Sequence, residues 1–107
     1  MVEVATLDRL FRALASGPRR EILRLAGQKR HAIMQFAAEL NMSQSAASKH
    51  VSVLADAGLL SKSREGRHRW CNLNPGAFEP GRQSIEELLC TPEGRRSRGR
   101  SAPRDSR

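Results

Sequence analysis

Between Ser43 and His50 the chain reads Ser-Gln-Ser-Ala-Ala-Ser-Lys-His, a run that mixes hydrogen-bonding side chains with the smallest apolar one. An amide such as Gln44 carries a donor beside an acceptor, matching the pair an adenine edge presents in the major groove of DNA, and hydroxyls such as Ser45 and Ser48 serve several bases. Lys49 and His50 suit a phosphate instead. So do Lys62, Arg64, Arg67 and Arg69 further on, whose charge fits a sugar-phosphate backbone or a minor groove. Taken alone, such cations also keep an exposed strand pair solvated and block edge-to-edge association. The two readings separate on whether the surrounding elements aim these residues outward together.

Hydrophobic periodicity supplies those elements. Leu7, Leu10, Phe11 and Leu14 recur at i, i+3, i+4 and i+7, one helical stripe, with Thr6 as N-cap and an end near Ala15. Ser16-Gly17-Pro18 breaks the stripe. Proline tolerates a first helical position because its missing N–H has no partner there, so a second helix with Ile22, Leu23 and Ala26 starts at this break and is expected to end at Gly27. Ile33, Phe36, Ala37 and Leu40 form a short third helix that Asn41 closes in a left-handed conformation. Ser43 caps a fourth over residues 43–57, with Ala47, Val51 and Leu54 on its inner stripe and Gly58 as its stop. Leu59 to Ser63 and Arg67 to Leu73 read as strands joined at Arg64-Glu65-Gly66, and Asn74, Pro75 and Gly76 close that unit. Pro80-Gly81 is expected to interrupt the chain before a last helix with Ile85, Leu88 and Leu89.

The pattern predicts a mainly α fold with a small β-hairpin, in the order of four helices, two strands and a fifth helix. A short helix, a tight turn and a second helix kept slim by Ala46 and Ala47, followed by a basic hairpin, make a winged helix-turn-helix. In that arrangement the second helix offers its N-terminal end to base edges.

Composition agrees. A chain of 107 residues holds one domain with a modest core, and 19 Lys plus Arg against 11 Asp plus Glu point to a polyanionic partner. One Trp, three Phe and no Tyr leave little for base stacking. That counts against an RNA- or ribosome-associated module, the alternative reading, and a winged-helix scaffold that binds only protein is a further outsider. No nucleophile stands with a base. Glu86 and Glu87 are adjacent and so point about 100° apart on a helix, and the serines of the fourth helix have only His50 nearby. No catalytic residue or cofactor is assigned. No apolar run approaches the roughly 20 residues of a membrane span, and the N-terminus lacks a signal core, so a cytoplasmic protein without a membrane partner is expected.

These residues resemble the ArsR-type winged helix-turn-helix repressors. The resemblance covers Thr6 to Asn74 and rests on Leu-Phe-Arg-Ala-Leu-Ala-Ser-Gly-Pro-Arg-Arg-Glu-Ile-Leu from Leu10, Met-Ser-Gln-Ser-Ala-Ala-Ser-Lys-His-Val-Ser-Val-Leu from Met42, Ala-Gly-Leu-Leu from Ala57 and Glu-Gly-Arg-His-Arg-Trp from Glu65. It implies a homodimeric transcriptional repressor or autorepressor that reads an inverted-repeat operator in double-stranded DNA, with helix 43–57 in the major groove and hairpin 60–73 as the wing. Carried over residue by residue, DNA contacts fall on Ser43, Gln44, Ser45, Ala46, Ser48, Lys49 and His50, then Arg64 and Arg67. The charge of the hairpin adds Arg69.

Metal-sensing members carry a cysteine pair in the helix corresponding to Ile33 to Leu40. Here that helix has none and His31, His50 and His68 are scattered, so no metal ligand is assigned and the chain looks like the non-metal branch. Cys71 and Cys90 read as small hydrophobes, since thiol sensing needs an exposed cysteine of lowered pKa. Trp70 reads as a packing residue at the base of the hairpin, its indole N–H left near water. The resemblance also implies a dimer built on the first and last helices. Leu7, Leu10, Phe11, Leu14, Ile85, Leu88 and Leu89 supply apolar surface for it, over an interface kept small by a last helix of about ten residues between breakers. Residues 1–90 are thus expected to form the DNA-binding and dimerisation domain. Residues 91–107, with six arginines against Glu93 and Asp105, form a basic disordered tail, either a solvated terminus or a non-specific grip on DNA.

Overall fold

The computed structural model describes residues 4–90. It runs α1 (Val4–Leu14), α2 (Gly17–Gln28), α3 (Ile33–Leu40), α4 (Gln44–Asp56), β1 (Leu60–Glu65), β2 (His68–Leu73), a 3₁₀ turn (Pro75–Phe78) and α5 (Glu79–Leu89). The expected order of elements is the observed one. The tail assigned to residues 91–107 lies outside the described residues.

The corner between α1 and α2 is built by side chains that serve the neighbouring helix. Ser16 is extended, and its Oγ accepts the Arg19 N–H at 3.4 Å, capping α2 just ahead of Pro18. Two arginines at the start of a helix oppose its dipole, but here they turn to the orphan carbonyls that end α1. Arg19 donates to Ala13 O at 2.9 Å and to Arg12 O at 3.2 Å, while Arg20 donates to Leu14 O at 2.7 Å. Two boundaries differ from expectation. Thr6 is not the N-cap of α1, because the helix is already formed at Val4. Gly27 does not end α2, which continues to Gln28 with the Lys29 N–H still bonded to Leu25 O at 3.3 Å. A glycine weakens a helix interior by about 1 kcal/mol without forbidding it, and Leu23, Leu25 and Ala26, all buried, hold this turn in place.

The core gathers one stripe from each of α1 to α4 and the start of β1. Phe36, Ile22, Leu54, Leu59 and Val51 are its largest fully buried side chains, each contributing on the order of 1.5–3 kcal/mol of burial. Ala13 and Ala47 are equally buried. Asn41 takes the left-handed conformation at φ 53°, ψ 51°, as expected, and its N–H reaches back to Ala38 O at 3.4 Å. Gly58, at φ +79°, ends α4.

The turn of the hairpin is tighter than the sequence indicated and lies later in the chain, so that Arg67 falls in it rather than in the second strand. Pairing runs in register from Leu60↔Leu73 to Glu65↔His68, leaving only Gly66 and Arg67 in the turn. Gly66 has φ +60°, the positive φ that the first central position of a type II′ hairpin turn requires. Arg64 and Glu65 therefore belong to the strand. On its other edge β2 is extended by one residue of the α2–α3 loop, where His31 and Cys71 exchange backbone bonds at 3.2 and 2.7 Å. His31 is held there by its own chemistry. Its Nδ1–H donates to Lys29 O at 2.7 Å, and its ring stacks on Phe36 at 4.9 Å.

Pro80-Gly81 does not interrupt the last helix. Pro80 falls in the first turn of α5, where a missing N–H costs nothing, and Gly81 is the one buried residue of the helix. A Cβ at Gly81 would stand 2.6 Å from Leu10 Cδ2, so glycine is what lets α1 and α5 approach. The same contact corrects the sequence reading of Leu10: at 3% exposure it belongs to the chain's own core and has no surface left for a partner.

Candidate nucleic-acid interface

Ser43 spends its side chain on the helix it starts, accepting the Ala46 N–H at 3.0 Å. The residues after it divide by periodicity. Ala47, Val51 and Leu54 are buried, Ala46 and His50 half-buried, and Gln44, Ser45, Ser48 and Lys49 exposed. Among the described residues the exposed four make no side-chain hydrogen bond or ion pair, and neither does His50. Amide, hydroxyl and ammonium groups thus stand in water on the outer side of a helix whose inner side is locked, ready for an outside partner at no cost in internal bonds.

The wing has two unlike faces. Strand alternation and the register put Leu60, Lys62 and Arg64 with Arg69, Cys71 and Leu73 on one, and Ser61, Ser63 and Glu65 with His68, Trp70 and Asn72 on the other. On the first face Leu60 and Cys71 are buried while Lys62, Arg64 and Arg69 are exposed, with no ion pair among the described residues. Burial also pushes the Cys71 thiol above its usual pKa, which disfavours the thiolate that sensing chemistry needs, and the nearby Lys62 charge only partly offsets this. Cys90 is exposed at the end of α5.

The structure brings three of the sequence-predicted DNA-binding residues, Gln44, Arg67 and Arg69, to one cleft. Gln44 lines this open cleft of about 410 Å³ with Lys62, Arg67 and Arg69, against Ile33 and Met34 from the start of α3. Arg64 stands outside this cleft, on the exposed strand. Ser45, Ser48 and Lys49 are carried by α4 beside it. Away from this region, Val4, Phe11, Ile85, Leu88 and Leu89 are exposed large apolar residues of α1 and α5, and Leu7 and Leu14 are half-buried.

Sequence reasoning missed Arg30 and the second face of the wing. Arg30 Nη2 donates to Glu65 Oε1 at 2.8 Å, and the Arg30 guanidinium carbon lies 4.4 Å from the centre of the Trp70 ring. The hydrogen bond, and then the charge, of Arg30 hold the Glu65 carboxyl below its ordinary pKa. Trp70 also differs from expectation: its Nε1 is buried without a hydrogen-bond partner among the described residues, rather than left near water. The only signal in the sequence is a lone acid, Glu65, within an otherwise basic hairpin, and nothing local connects it to a residue 35 positions earlier.

Among the described residues no three His, Cys, Asp or Glu side chains gather as a metal site, and no helix is long and apolar enough to cross a membrane. Residues 16–62 match the model of the bacterial regulatory protein arsR family. No curated protein matches the chain. Among solved structures, an ArsR-like transcriptional regulator from a Rhodococcus species is 22% identical, with 92% of this chain and 96% of that one covered at a TM-score of 0.76. The homodimeric winged helix-turn-helix DNA-binding domain of a possible ArsR-family regulator from Mycobacterium bovis is 24% identical, with 82% and 84% covered at 0.67. The transcriptional regulator HlyU from Vibrio vulnificus is 26% identical, with 80% and 90% covered at 0.61.

Proposed function

We propose that the chain, whose residues 16–62 match the model of the bacterial regulatory protein arsR family, is a homodimeric repressor or autorepressor that reads an inverted-repeat operator. Family and fold are those of transcriptional regulators, not enzymes. The observation that carries the proposal is the division of α4: a stripe at 0% exposure opposite Gln44, Ser45, Ser48 and Lys49, all exposed and unengaged.

In this reading α4 lies in the major groove. Gln44, Ser45 and Ser48 meet base edges, Lys49 and His50 grip phosphate, and Ser43 and Ala46 approach the backbone at the helix start. Arg64, Arg67 and Arg69 extend the grip from the wing, adding affinity more than sequence preference. Two copies are needed because a two-fold operator presents its half-sites about one DNA turn apart. The apolar face of Phe11, Ile85, Leu88 and Leu89, flanked by Leu7 and Leu14, supports such a pairing, and the Mycobacterium bovis domain is homodimeric. Residues 1–90 then form the working domain, placed with the DNA in the cytoplasm, and the arginines of 91–107 add a non-specific grip.

Repression follows from occupancy, because a bound dimer excludes other proteins from the operator. Release requires a ligand that favours the off-DNA conformation, since only differential affinity shifts such an equilibrium. With no cysteine in α3, the chain fits the branch that does not sense metals there. The test is selection of bound duplexes from a random pool at near-physiological salt. Recovery of an inverted repeat is the expected result; a pool left without preference, or one that yields only single-stranded RNA when both are offered, overturns the proposal.

A further inference from the structure

Among the described residues, three of the four ion pairs join residues one turn apart on a single helix: Glu21 with Arg24, and Arg82 with Glu79 and Glu86. The fourth joins two separate parts of the fold. Arg30, in the loop between α2 and α3, reaches the last residue of β1 before the hairpin turn, bonding Glu65 at 2.8 Å. On the way its guanidinium covers the Trp70 ring at 4.4 Å, and His68 packs against the same ring at 5.4 Å. A two-stranded hairpin is marginal on its own, and beyond Cys71 this one has no buried residue toward its turn. The His31–Cys71 bridge anchors its middle, and Arg30 takes hold of the half that projects.

We propose that Arg30 is the positioning residue of the wing: bracketed between the Trp70 ring and the Glu65 carboxylate, it sets the hairpin's inclination to α4 and neutralises the one acid at the tip. This rests on the wing's acting as a phosphate grip. A guanidinium suits the task because it is planar, stacks on an aromatic face and still presents N–H groups at its edge to a carboxylate. Without it, Glu65 stands free beside Arg64 and Arg67 and repels the phosphates they attract. Arg30 therefore acts through Glu65 and Trp70 and does not itself touch DNA.

Trp70 is the only tryptophan in the chain and reports on this bracket without any ligand present. Two variants, Arg30→Ala and the equally charged Arg30→Lys, are compared with the parent by tryptophan emission of the free protein and by operator affinity, and the affinity comparison is repeated in a Glu65→Gln background. In Arg30→Ala the emission is expected to move to the red as the indole N–H meets water. Affinity is expected to fall roughly three- to fivefold for every duplex alike, and by less in the Glu65→Gln background, where no carboxylate is left to be freed. Arg30→Lys, which keeps the charge but loses the plane, is expected to fall between Arg30→Ala and the parent. An undiminished three- to fivefold loss in the Glu65→Gln background would make Arg30 a direct phosphate contact, and an emission unchanged in both variants would mean the bracket positions nothing; either result overturns the proposal. If the parent binds no duplex, the regulatory reading fails, while the emission arm still decides whether Arg30 holds the wing.

Discussion

Helices α4 and α5 are of similar length and opposite construction. In α4 the apolar stripe of Ala47, Val51 and Leu54 is wholly buried, and what remains outside is polar and uncommitted except for Val53, 38% exposed near its C-terminal end. In α5 only Gly81 is buried, while Ile85, Leu88 and Leu89 are 49, 69 and 41% exposed. One helix has completed its hydrophobic contacts and offers hydrogen bonds; the other offers hydrophobic surface. A single fold thus prepares two unlike contacts, one suited to a charged, hydrogen-bonding partner and one suited to an apolar surface such as a second copy of itself.

The comparison breaks most severely if the inner stripe of α4 is damaged. Leu54→Ala is expected to cost about 2–5 kcal/mol in denaturant unfolding, because a fully buried leucine leaves a cavity that its neighbours only partly fill. The outer face of α5 should respond differently. Ile85→Glu with Leu88→Glu is expected to weaken self-association by about 3 kcal/mol or more, read as a shift from dimer to monomer in sedimentation, with helix content retained. A loss of helix content alongside the loss of the dimer would show that α5 is core rather than interface. The wing gives the smallest effect: Arg67→Ala is expected to weaken all duplexes alike by about 1 kcal/mol and to lower the salt slope by about one.

Local signals made the helix-turn-helix readable. Asn41 in a left-handed turn, Ser43 as a cap and the spacing of Ala47, Val51 and Leu54 all act within a few residues of each other, and the structure keeps each of them. Chain breakers were less reliable guides, because their effect depends on what lies opposite. Gly27 stays helical beside buried neighbours, and Gly81 is present for the approach of Leu10 rather than to end a helix. Leu10 itself shares its stripe with residues at the surface, and periodicity alone cannot rank positions within a stripe by depth. The Arg30–Glu65–Trp70 bracket was invisible for a plainer reason: its members are brought together only by the register of the hairpin and by the loop that docks against β2.

The claim on which the regulatory account depends is that the outer face of α4 meets base edges. Measuring the penalty for each operator mismatch with the parent protein and with Gln44→Ala tests it most directly. The account predicts that the penalty at one base step falls by about 1–3 kcal/mol while the others hold. Penalties unchanged at every position would remove Gln44 from base readout and contradict the placement of α4 in the groove.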